Sequence, residues 1–397
     1  MRISTFAMQN TAVQAIENAQ AQLSKTQNQV ATGKRVQSPA DDPGAAVHIL
    51  ALQQQLAASD QYNVNSTAVQ NRLQASELGL ADATAVLQRV HDLAVQANSG
   101  TLNAGDLRNI NAEINSQIDS LSQIANRQDP SGEYLYAGLA TATKPFARAA
   151  SGMQYLGDAG TRSVQVSATQ RIVDGQSGVD VFMRVPAGNG TFTATANSAN
   201  TGTGTIDGGT LTDPTAWVAD NYTLKMTTLN TYQILDGSGT QIATGTYTAG
   251  NAIQFRGASV VLSGAPAIGD QFQISRSGTQ DVFTTLDKLS SALTSAPTTP
   301  AQRAQFATQM GSLLTQLGQS IDHLQNVRAD VGAKLSAIDA ASNTRADQKL
   351  QLSSALSDLS DVDYAQAVSK MNQQLLGLQA AQQSYAKISQ LSLFNYL

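Results

Sequence analysis

The two ends of the chain carry the same spacing of apolar and glutamine positions, alternately three and four residues apart. Near the start this spacing selects Phe6, Gln9, Val13, Ile16, Gln20, Leu23, Gln27 and Val30. Near the finish it selects Tyr364, Val368, Met371, Leu375, Leu378, Gln382 and Tyr385. Residues at this spacing lie on one face of an α-helix and need a partner helix. The pattern therefore predicts that the terminal helices pair side by side as a coiled coil.

Apolar periodicity also predicts long helices between the two ends. The first helix is predicted over about residues 4–32, because Gly33 is typical of a helix end, and the second begins near Pro43. A third helix is predicted over about residues 104–126, and helical spacing resumes near Asp281 and continues to the C-terminus. Three apolar faces support these helices: Val69, Leu73, Ser76, Leu80, Ala83, Leu87, Val90, Ala94 and Ala97; Leu107, Ile110, Ile114, Ile118, Leu121 and Ile124; and Phe306, Met310, Leu313, Leu317, Ser320, Leu324, Val327 and Val331.

After Pro130 glycine, threonine and strictly alternating apolar residues replace the helical pattern. This alternation predicts strands over residues 163–167 and 179–185 in a hairpin region. Further strands are predicted over residues 222–228, 232–235, 241–247, 253–256, 259–263 and 271–275. The predicted fold is thus mainly α with an all-β insert. A long antiparallel helical rod or coiled coil is formed by the N- and C-terminal segments, with a β-hairpin region and an outer β domain.

The order of elements predicts three domains. Residues 1–42 with 356–397 form a terminal coiled-coil domain. Residues 43–185 with 278–355 form a helical rod that carries β-hairpins. Residues 186–277 form the outer β-rich domain.

Composition narrows the classes of partner. Charged residues make up 13% of the 397, the net charge is −5, and no basic stripe is present to bind nucleic acid. No apolar run reaches the roughly 18 residues of a membrane span, and the start lacks the apolar core of a cleavable signal peptide. Cysteine is absent, which excludes disulfides and thiolate chemistry. Taken alone, these features favour a cytoplasmic protein.

Candidate chemistry is sparse. Ser384 and Lys387 match the Ser-x-x-Lys pattern of acyl-transfer enzymes, but the sequence holds neither of the partner motifs that such enzymes require. The histidines, His48, His91 and His323, lack metal-ligand spacing. Asp42, directly before Pro43, is better explained as a helix N-cap than as a cation ligand. We therefore predict no enzyme activity, no metal and no cofactor.

Two polar features leave alternatives open. Lys34 and Arg35 either pair with acidic groups of a neighbouring subunit or lie in solvent. The glutamines of the first helix either restrict the register of a coiled coil within one chain or form hydrogen bonds with neighbouring subunits. We favour the second interpretation of the glutamines.

Several separated motifs resemble the bacterial flagellin family, and the resemblance covers nearly the whole chain. They are residues 1–5 (MRIST), Ser24, residues 32–36 (TGKRV), Pro39, residues 41–43 (DDP), residues 132–138 (GEYLYAG) followed by Pro145 and Phe146, residues 328–333 (RADVGA), and residues 361–365 (DVDYA) through to Leu397. Their presence in the family's order makes the resemblance specific. The 32–43 and 132–146 segments resemble the family's junction subunits in particular.

The resemblance implies a structural role in the bacterial flagellum, outside the cell. The expected function is a junction between the hook, through the hook-side junction protein, and the flagellin filament. The expected partners are further copies of the chain in a ring or tube, the hook-side junction protein, flagellin, an export chaperone and the flagellar type III export apparatus, which reads an uncleaved N-terminal segment. Export by this route replaces the cytoplasmic interpretation, while nucleic-acid binding and membrane insertion are not expected.

In this family the terminal helices form the innermost layer of a hollow assembly, which implies an assembly interface on the two predicted seams. The residues predicted to form it are Phe6, Val13, Ile16, Leu23, Val30, Val368, Met371, Leu375, Leu378 and Tyr385. Two alternative functions are a flagellin filament subunit and, from a different class, a secreted coiled-coil adhesin that uses the β insert for binding.

Overall fold

The computed structural model describes residues 5–99, 102–150 and 152–390. Its helices are α1 (Thr5–Thr32), α2 (Pro43–Ala97), α3 (Ala104–Ala125), α4 (Val282–Thr294), α5 (Pro300–Ser360) and α6 (Tyr364–Gln390). The chain divides into two compact units. Unit 1 comprises Met1–Val64 and Ala340–Leu397, and unit 2 comprises Asn65–Asp339. The predicted division into three domains stays a prediction.

Polar side chains fix where several helices begin. The side chain of Asn103 accepts hydrogen bonds from the N–H groups of Gly105 and Asp106. In turn, the carboxylate of Asp106 accepts a hydrogen bond from the Asn103 N–H. This reciprocal capping box satisfies donors that a helix start leaves unpaired. Asp281 caps α4 through the Thr284 N–H at 2.6 Å. The predicted helix starts near residues 104 and 281 are confirmed.

The helical core of unit 2 confirms the three predicted apolar faces. Every residue of the predicted face on α2 is buried, and so is every residue of the predicted face on α3. On α5 the predicted face is buried except at Phe306 and Val327, which are half-buried. Arg328 on α5 donates two hydrogen bonds to Glu77 Oε1 on α2, at 3.0 and 2.6 Å. Apolar burial thus supplies the packing, and this charge-assisted pair adds a polar link between the two helices.

Two short hairpins and one further strand pair lie in unit 2 outside the larger sheets. Strands β1 (Phe146–Ala149) and β2 (Gly152–Tyr155) pair, as do β3 (Ser163–Gln165) and β4 (Arg171–Val173). Strand β5 (Val185–Pro186) pairs with β15 (Thr279–Gln280), which closes the chain around the insert. Tyr136, Phe146, Phe182 and Phe283 contact one another near these hairpins with ring centroids 5.4 to 6.1 Å apart. The predicted hairpin region is therefore present and has an aromatic core.

The predicted strand over residues 179–185 is wrong for most of its length. Val179–Met183 form a π-helical turn, and only Val185 belongs to a strand. The adjacent residues Val181 and Phe182 are both fully buried. A strand sends adjacent side chains to opposite faces, whereas a helical turn brings both into the same core. The Ser177 carbonyl starts the turn by accepting from the Val181 N–H.

The β insert folds as two sheets that share one apolar core. The larger sheet has the order β11-β10-β9-β14-β6, all antiparallel, built from β6 (Phe192–Ala196), β9 (Tyr222–Met226), β10 (Thr231–Leu235), β11 (Gln241–Thr246) and β14 (Gln271–Arg276). The smaller has the order β12-β13-β7, with β8 also on β13, built from β7 (Thr205–Ile206), β8 (Thr210–Leu211), β12 (Ala252–Phe255) and β13 (Ala258–Ser263). One buried cluster takes side chains from both sheets. The six predicted strands are confirmed to within two residues at each end.

The predicted pairing of the terminal helices is also confirmed. Within unit 1, α1 and α6 pack against each other. The end of α1 meets the start of α6, because Lys34 and Asp361 form an antiparallel bridge. The two helices therefore run in opposite directions from this point. Among the described residues, no helix combines the length and apolarity needed to cross a membrane.

Candidate functional site

The contact between α1 and α6 alternates large residues with mostly small ones, and we call this set of residues the inner seam. On α1 the inner seam consists of Ala12, Ile16, Ala19, Leu23, Thr26 and Val30, all buried or half-buried. On α6 it consists of Ala367, Met371, Gln374, Leu378, Ala381 and Tyr385, again buried or half-buried. In heptad notation the large residues of both helices occupy position a and the others position d.

The structure brings together six of the ten predicted interface residues within this inner seam. They are Ile16, Leu23, Val30, Met371, Leu378 and Tyr385. Val13 and Val368 are exposed, at 37% and 39%, and Leu375 is half-buried. Phe6 lies in α1, but its side chain is outside the described residues. The prediction thus identified the a positions of the inner seam correctly. At the d positions it named the residue that follows, as with Val13 after Ala12.

The physical reason for this departure is side-chain size. The 3-4 spacing accommodates either of two adjacent residues, and the prediction chose the larger one, Val13 rather than Ala12. In the structure small residues fill position d, at Ala12, Ala19, Ala367 and Ala381. The distance between packed helices depends on the side chains at the contact, so alanines allow a close approach. Valine at position d would hold the two helices further apart.

The displaced residues form a second stripe, which we call the flanking stripe. It consists of Val13, Gln20 and Gln27 on α1 and Val368, Leu375 and Gln382 on α6, all exposed except Leu375. Each residue directly follows a d position, so all six occupy position e. In an antiparallel helix pair the e positions of both helices lie on the same side. The flanking stripe is therefore one surface, and neither α1 nor α6 covers it.

Backbone hydrogen bonds tie the α1–α2 connector to the α5–α6 connector. The Arg35 N–H donates to the Ser360 carbonyl at 2.7 Å, and the Val362 N–H donates to the Gly33 carbonyl at 2.9 Å. Gly33 has a positive φ of 71°, which favours glycine and ends α1. These bonds fix where the inner seam begins.

Charged side chains of the same connectors pair within the chain. Lys34 Nζ lies 2.5 Å from Asp361 Oδ1, and Arg35 contacts Asp42 Oδ2 at 3.3 Å and the Leu359 carbonyl at 2.8 Å. Within the single chain, Lys34 and Arg35 thus pair with acidic groups of their own chain while staying about half exposed, and pairing with a neighbouring subunit stays a prediction. The antiparallel meeting of the connectors brings Asp361 to Lys34 across more than 300 residues of sequence, whereas Asp42 lies only seven residues after Arg35.

Three carboxylates of the connectors are held in their charged form. The Lys25 ammonium, 2.8 Å from Asp41 Oδ1, and the N–H groups of Ser38 and Gln37 lower the pKa of Asp41 to about 2. Lys34, with hydroxyls of Ser357 and Ser360, lowers the pKa of Asp361 well below its usual value. Hydrogen bonds and nearby cations favour the charged form of a carboxyl.

Asp42 is the third of these carboxylates, and it confirms the predicted N-cap. Its Oδ1 accepts from the Ala45 N–H at 3.0 Å, and Pro43 opens α2. This hydrogen bond, followed by the contact with Arg35, lowers the pKa of Asp42. An aspartate at this position satisfies a free N–H of the first turn and interacts favourably with the helix dipole.

The remaining candidate residues are dispersed. Ser384 and Lys387 are exposed on α6, beside the seam residue Tyr385. His323 Nε2 contacts the Asp180 carbonyl at 2.7 Å, His91 lies 3.9 Å from Asp92, and His48 is exposed on α2. The described residues contain no group of three side chains suited to hold a metal ion. A cavity of about 500 Å³ between β6 and α5 is lined by hydroxyl and amide side chains with Lys288.

One polar cluster in unit 2 was missed from the sequence. Arg72 on α2 is buried and donates to Asp129 at 2.6 Å and to Glu133 at 3.1 Å. Arg162 pairs with Asp174 at 2.6 Å and lies 3.6 Å from Glu133. The sequence signal that could have indicated the cluster is Arg72 itself, a charged residue next to Leu73 on a largely apolar helix face. The cluster links α2 to the loops that precede and follow the first hairpins.

Models of two bacterial flagellin regions match the chain. The N-terminal helical region matches residues 3–141 and the C-terminal helical region matches residues 314–397. Together these ranges include every residue of the inner seam and of the flanking stripe.

Individual relatives resemble the chain over most of its length. Flagellar hook-associated protein 3 of Escherichia coli is 25% identical over 395 residues, which is 99% of each chain. The crystal structure of Xanthomonas campestris FlgL is 35% identical, with a TM-score of 0.72 over 77% of this chain and 99% of that one. The flagellar junction protein FlgL of Legionella pneumophila is 28% identical, also with a TM-score of 0.72, over 79% of this chain and 100% of that one.

Proposed function

The chain belongs to the bacterial flagellin family, and we propose that it is the subunit that joins the hook of the flagellum to the flagellin filament. The observation that carries this proposal is similarity over 99% of both lengths to a flagellar hook-associated protein 3. The structural match to a flagellar junction protein supports it. Similarity over the whole length includes the β insert, so it extends beyond the helical ends that define the family.

The assembly surface of the proposed subunit is the flanking stripe. The inner seam is used within one chain, whereas Val13 and Val368 remain exposed. A helix with apolar residues at positions a, d and e has a wider apolar face than one partner helix covers. Helices of neighbouring copies pack on this side of the α1/α6 pair, and the remaining predicted residues act by holding the pair together.

The glutamines of the flanking stripe fit the same proposal. Gln20 and Gln27 are exposed on α1, and Gln382 is exposed on α6. An amide side chain offers both donors and acceptors, so it bonds readily to an identical amide on a neighbour. Low charge supports close packing as well, because Glu17 and Lys25 are the only charged residues of α1.

The proposed role is structural rather than enzymatic. Self-association in a ring or tube, contact with the hook-side junction protein and contact with flagellin are its functional interactions. Export through the flagellar type III apparatus, with a chaperone covering the exposed stripe of α6, delivers the chain to its place outside the cell. An exposed apolar stripe promotes aggregation before assembly, and this supports a partner that covers it.

Deletion of the gene in the source bacterium tests this function. We expect the mutant to build hooks and to release full-length unpolymerised flagellin into the medium, because the first flagellins have no junction on which to polymerise. Electron microscopy of the cells and mass spectrometry of the medium measure both results. The intact gene supplied in trans is the control. Filaments of normal length on the mutant would contradict the junction role, and loss of flagellin itself would favour the filament-subunit alternative.

A further inference from the structure

The β insert has an apolar core of its own, separate from that of the helices in unit 2. The buried cluster of the sandwich takes its side chains from residues 192–274, and among the described residues no side chain of α4 or α5 belongs to it. The chain crosses between the helical part and the insert at residues 187–191, after β5, and at residues 277–278, before β15. Two parts with separate cores, joined by short crossings, can move against each other as rigid bodies.

The face of α5 that meets the insert carries uncharged polar side chains at helical spacing. They are Gln305, Thr308, Ser312, Thr315, Gln316 and Gln319, and four of them line the cavity of about 500 Å³ between α5 and β6. In the described structure Leu313 is the one apolar side chain that α5 adds to this lining. The backbone of the insert approaches closely, since a Cβ at Gly208 would lie 2.7 Å from Thr315 Oγ1. Polar groups can exchange such contacts for water, so this surface separates more easily than an apolar one.

Gln316 anchors the crossing that leads into the insert. Its side chain is buried, accepts a hydrogen bond from the Gly188 N–H at 2.7 Å and donates one to the Pro186 carbonyl at 3.1 Å. Gly188 and Gly190 of this crossing have positive φ angles of 61° and 89°, and the second crossing contains Gly278. Hinges use a few residues whose backbone torsions can change, and glycine permits the widest range. The first crossing is therefore held at Pro186 and can bend from Gly188 onwards.

A second set of hydrogen bonds holds the insert farther from the crossings. Gln305 donates to the carbonyls of Ser198 and Asn200, both at 3.0 Å, and Thr308 accepts from the N–H of Ile206 at 3.3 Å. At about 1.5 Å per residue, Gln305 lies about 16 Å from Gln316 along α5. A swing of the insert about its crossings therefore breaks the bonds of Gln305 and leaves those of Gln316 in place.

We propose that the β insert is a hinged domain that swings on its two crossings between a docked and an undocked position, with Gln305 as the latch of the docked position. In the docked position Gln305 and Thr308 bond to the backbone of the insert. In the undocked position water bonds to these groups instead, and the polar lining of the cavity lets water enter as the surfaces separate. Both apolar cores stay intact, so the outer domain changes its angle to α5 without unfolding.

Spin labels can measure this swing on the full-length protein, because the chain has no cysteine of its own. Cysteines replace Leu229, exposed on the turn between β9 and β10, and Asn109, exposed on α3. Double electron–electron resonance then gives the distances between the two labels. We expect a narrow distance from the docked position and a longer, broader one from the undocked position. Gln305→Leu should raise the ratio of undocked to docked molecules at least about tenfold, because it removes two hydrogen bonds of the docked position.

Gln309→Leu is the matched control, since Gln309 lines the same cavity and, in the described structure, is exposed rather than bonded to the insert. It should leave the ratio as in the wild type. Urea unfolding followed by the fluorescence of Trp217, which packs on Phe192, should have the same midpoint in all three proteins, because the insert stays folded. Distances that do not respond to Gln305→Leu, an equal response to Gln309→Leu, or a lower unfolding midpoint in Gln305→Leu would each overturn the proposal.

Discussion

Asp41 shows how single residues hold the connectors of unit 1. Its Oδ2 accepts hydrogen bonds from the N–H groups of Gln37 and Ser38, while its Oδ1 faces Lys25. The carboxylate thus joins α1 to the turn that precedes α2. All of these contacts require the charged form. Because the pKa of Asp41 is lowered to about 2, its contribution to stability is complete above the unfolded pKa near 3.8 and is lost as the pH falls towards 2.

Replacing Lys25 with methionine should raise the pKa of Asp41 towards 3.8. The Lys25 ammonium is the largest cause of the lowered value, and methionine keeps the length of the side chain without its charge. The pH-dependent loss of stability due to Asp41 should shrink accordingly. Carboxyl-carbon NMR titration measures the pKa in both proteins. Lys349→Met, which removes a comparable ion pair with Asp60, is the control. An Asp41 midpoint that is the same in wild type and Lys25→Met would contradict this assignment.

Residue-scale detail marks the limit of prediction from the sequence. The spacing identified the a positions, such as Ile16 and Leu378, because large apolar residues recur there every seven positions. It did not separate Ala12 from Val13, since both fit a 3-4 repeat and the choice depends on the distance between the helices. The ion pairs Lys34–Asp361 and Arg72–Asp129 could not be predicted from the sequence, because they join residues that only the folded chain brings together.

Among the elements, the β sandwich offers a built-in spectroscopic probe. Trp217 is the single tryptophan, and its ring lies 5.4 Å from Phe192 and 5.7 Å from Tyr222. Both neighbours are buried in the core that the two sheets share. Tryptophan fluorescence therefore reports on the folding of the insert.

Truncating a core residue of the sandwich should destabilise the insert strongly. Ile274 is fully buried on β14, so Ile274→Ala should lower the free energy of unfolding by about 2–5 kcal/mol through lost burial and a cavity. Ile268→Ala makes the same substitution at a residue that is 64% exposed, and it should cost about 0.5 kcal/mol or less. Urea denaturation followed by Trp217 fluorescence measures both. Equal losses for the two variants would contradict the assigned core.

Elements with long, regular periods were predictable, and short or irregular ones were not. The faces of α2 and α3 follow from strict helical spacing, and the six strands β9 to β14 follow from alternation bounded by glycine turns. Strand β6 was not predicted, although it is five residues long. The π-helical turn at Val179–Met183 has an apolar pattern that also fits a strand. The two-residue strands β7 and β8 carry too few positions for any period, and pairing with β13 defines them.

For the whole molecule, the central claim is that the chain is completed by its neighbours. The α1/α6 pair satisfies its inner seam within one chain and leaves the flanking stripe for other copies. The opposite side of the pair, at the g positions, carries mostly small and polar residues, among them Ala15, Gln22, Lys370, Gly377 and Ser384, although Met8 at its end is apolar and exposed. The two sides therefore differ in apolarity, which gives the claim a matched control.

The measurement that tests this claim most directly is incorporation of paired glutamine variants at hook tips. A strain lacking the gene receives either Val13→Gln with Val368→Gln, on the flanking stripe, or Ala15→Gln with Ser384→Gln, on the g side. All four positions are exposed in the single chain, so both variants should fold and be exported alike. Immunogold labelling of hook tips and filament counts then measure assembly. We predict that the g-side variant labels hook tips and restores filaments, whereas the flanking-stripe variant is secreted but absent from hook tips. Equal incorporation of the two variants would contradict the account.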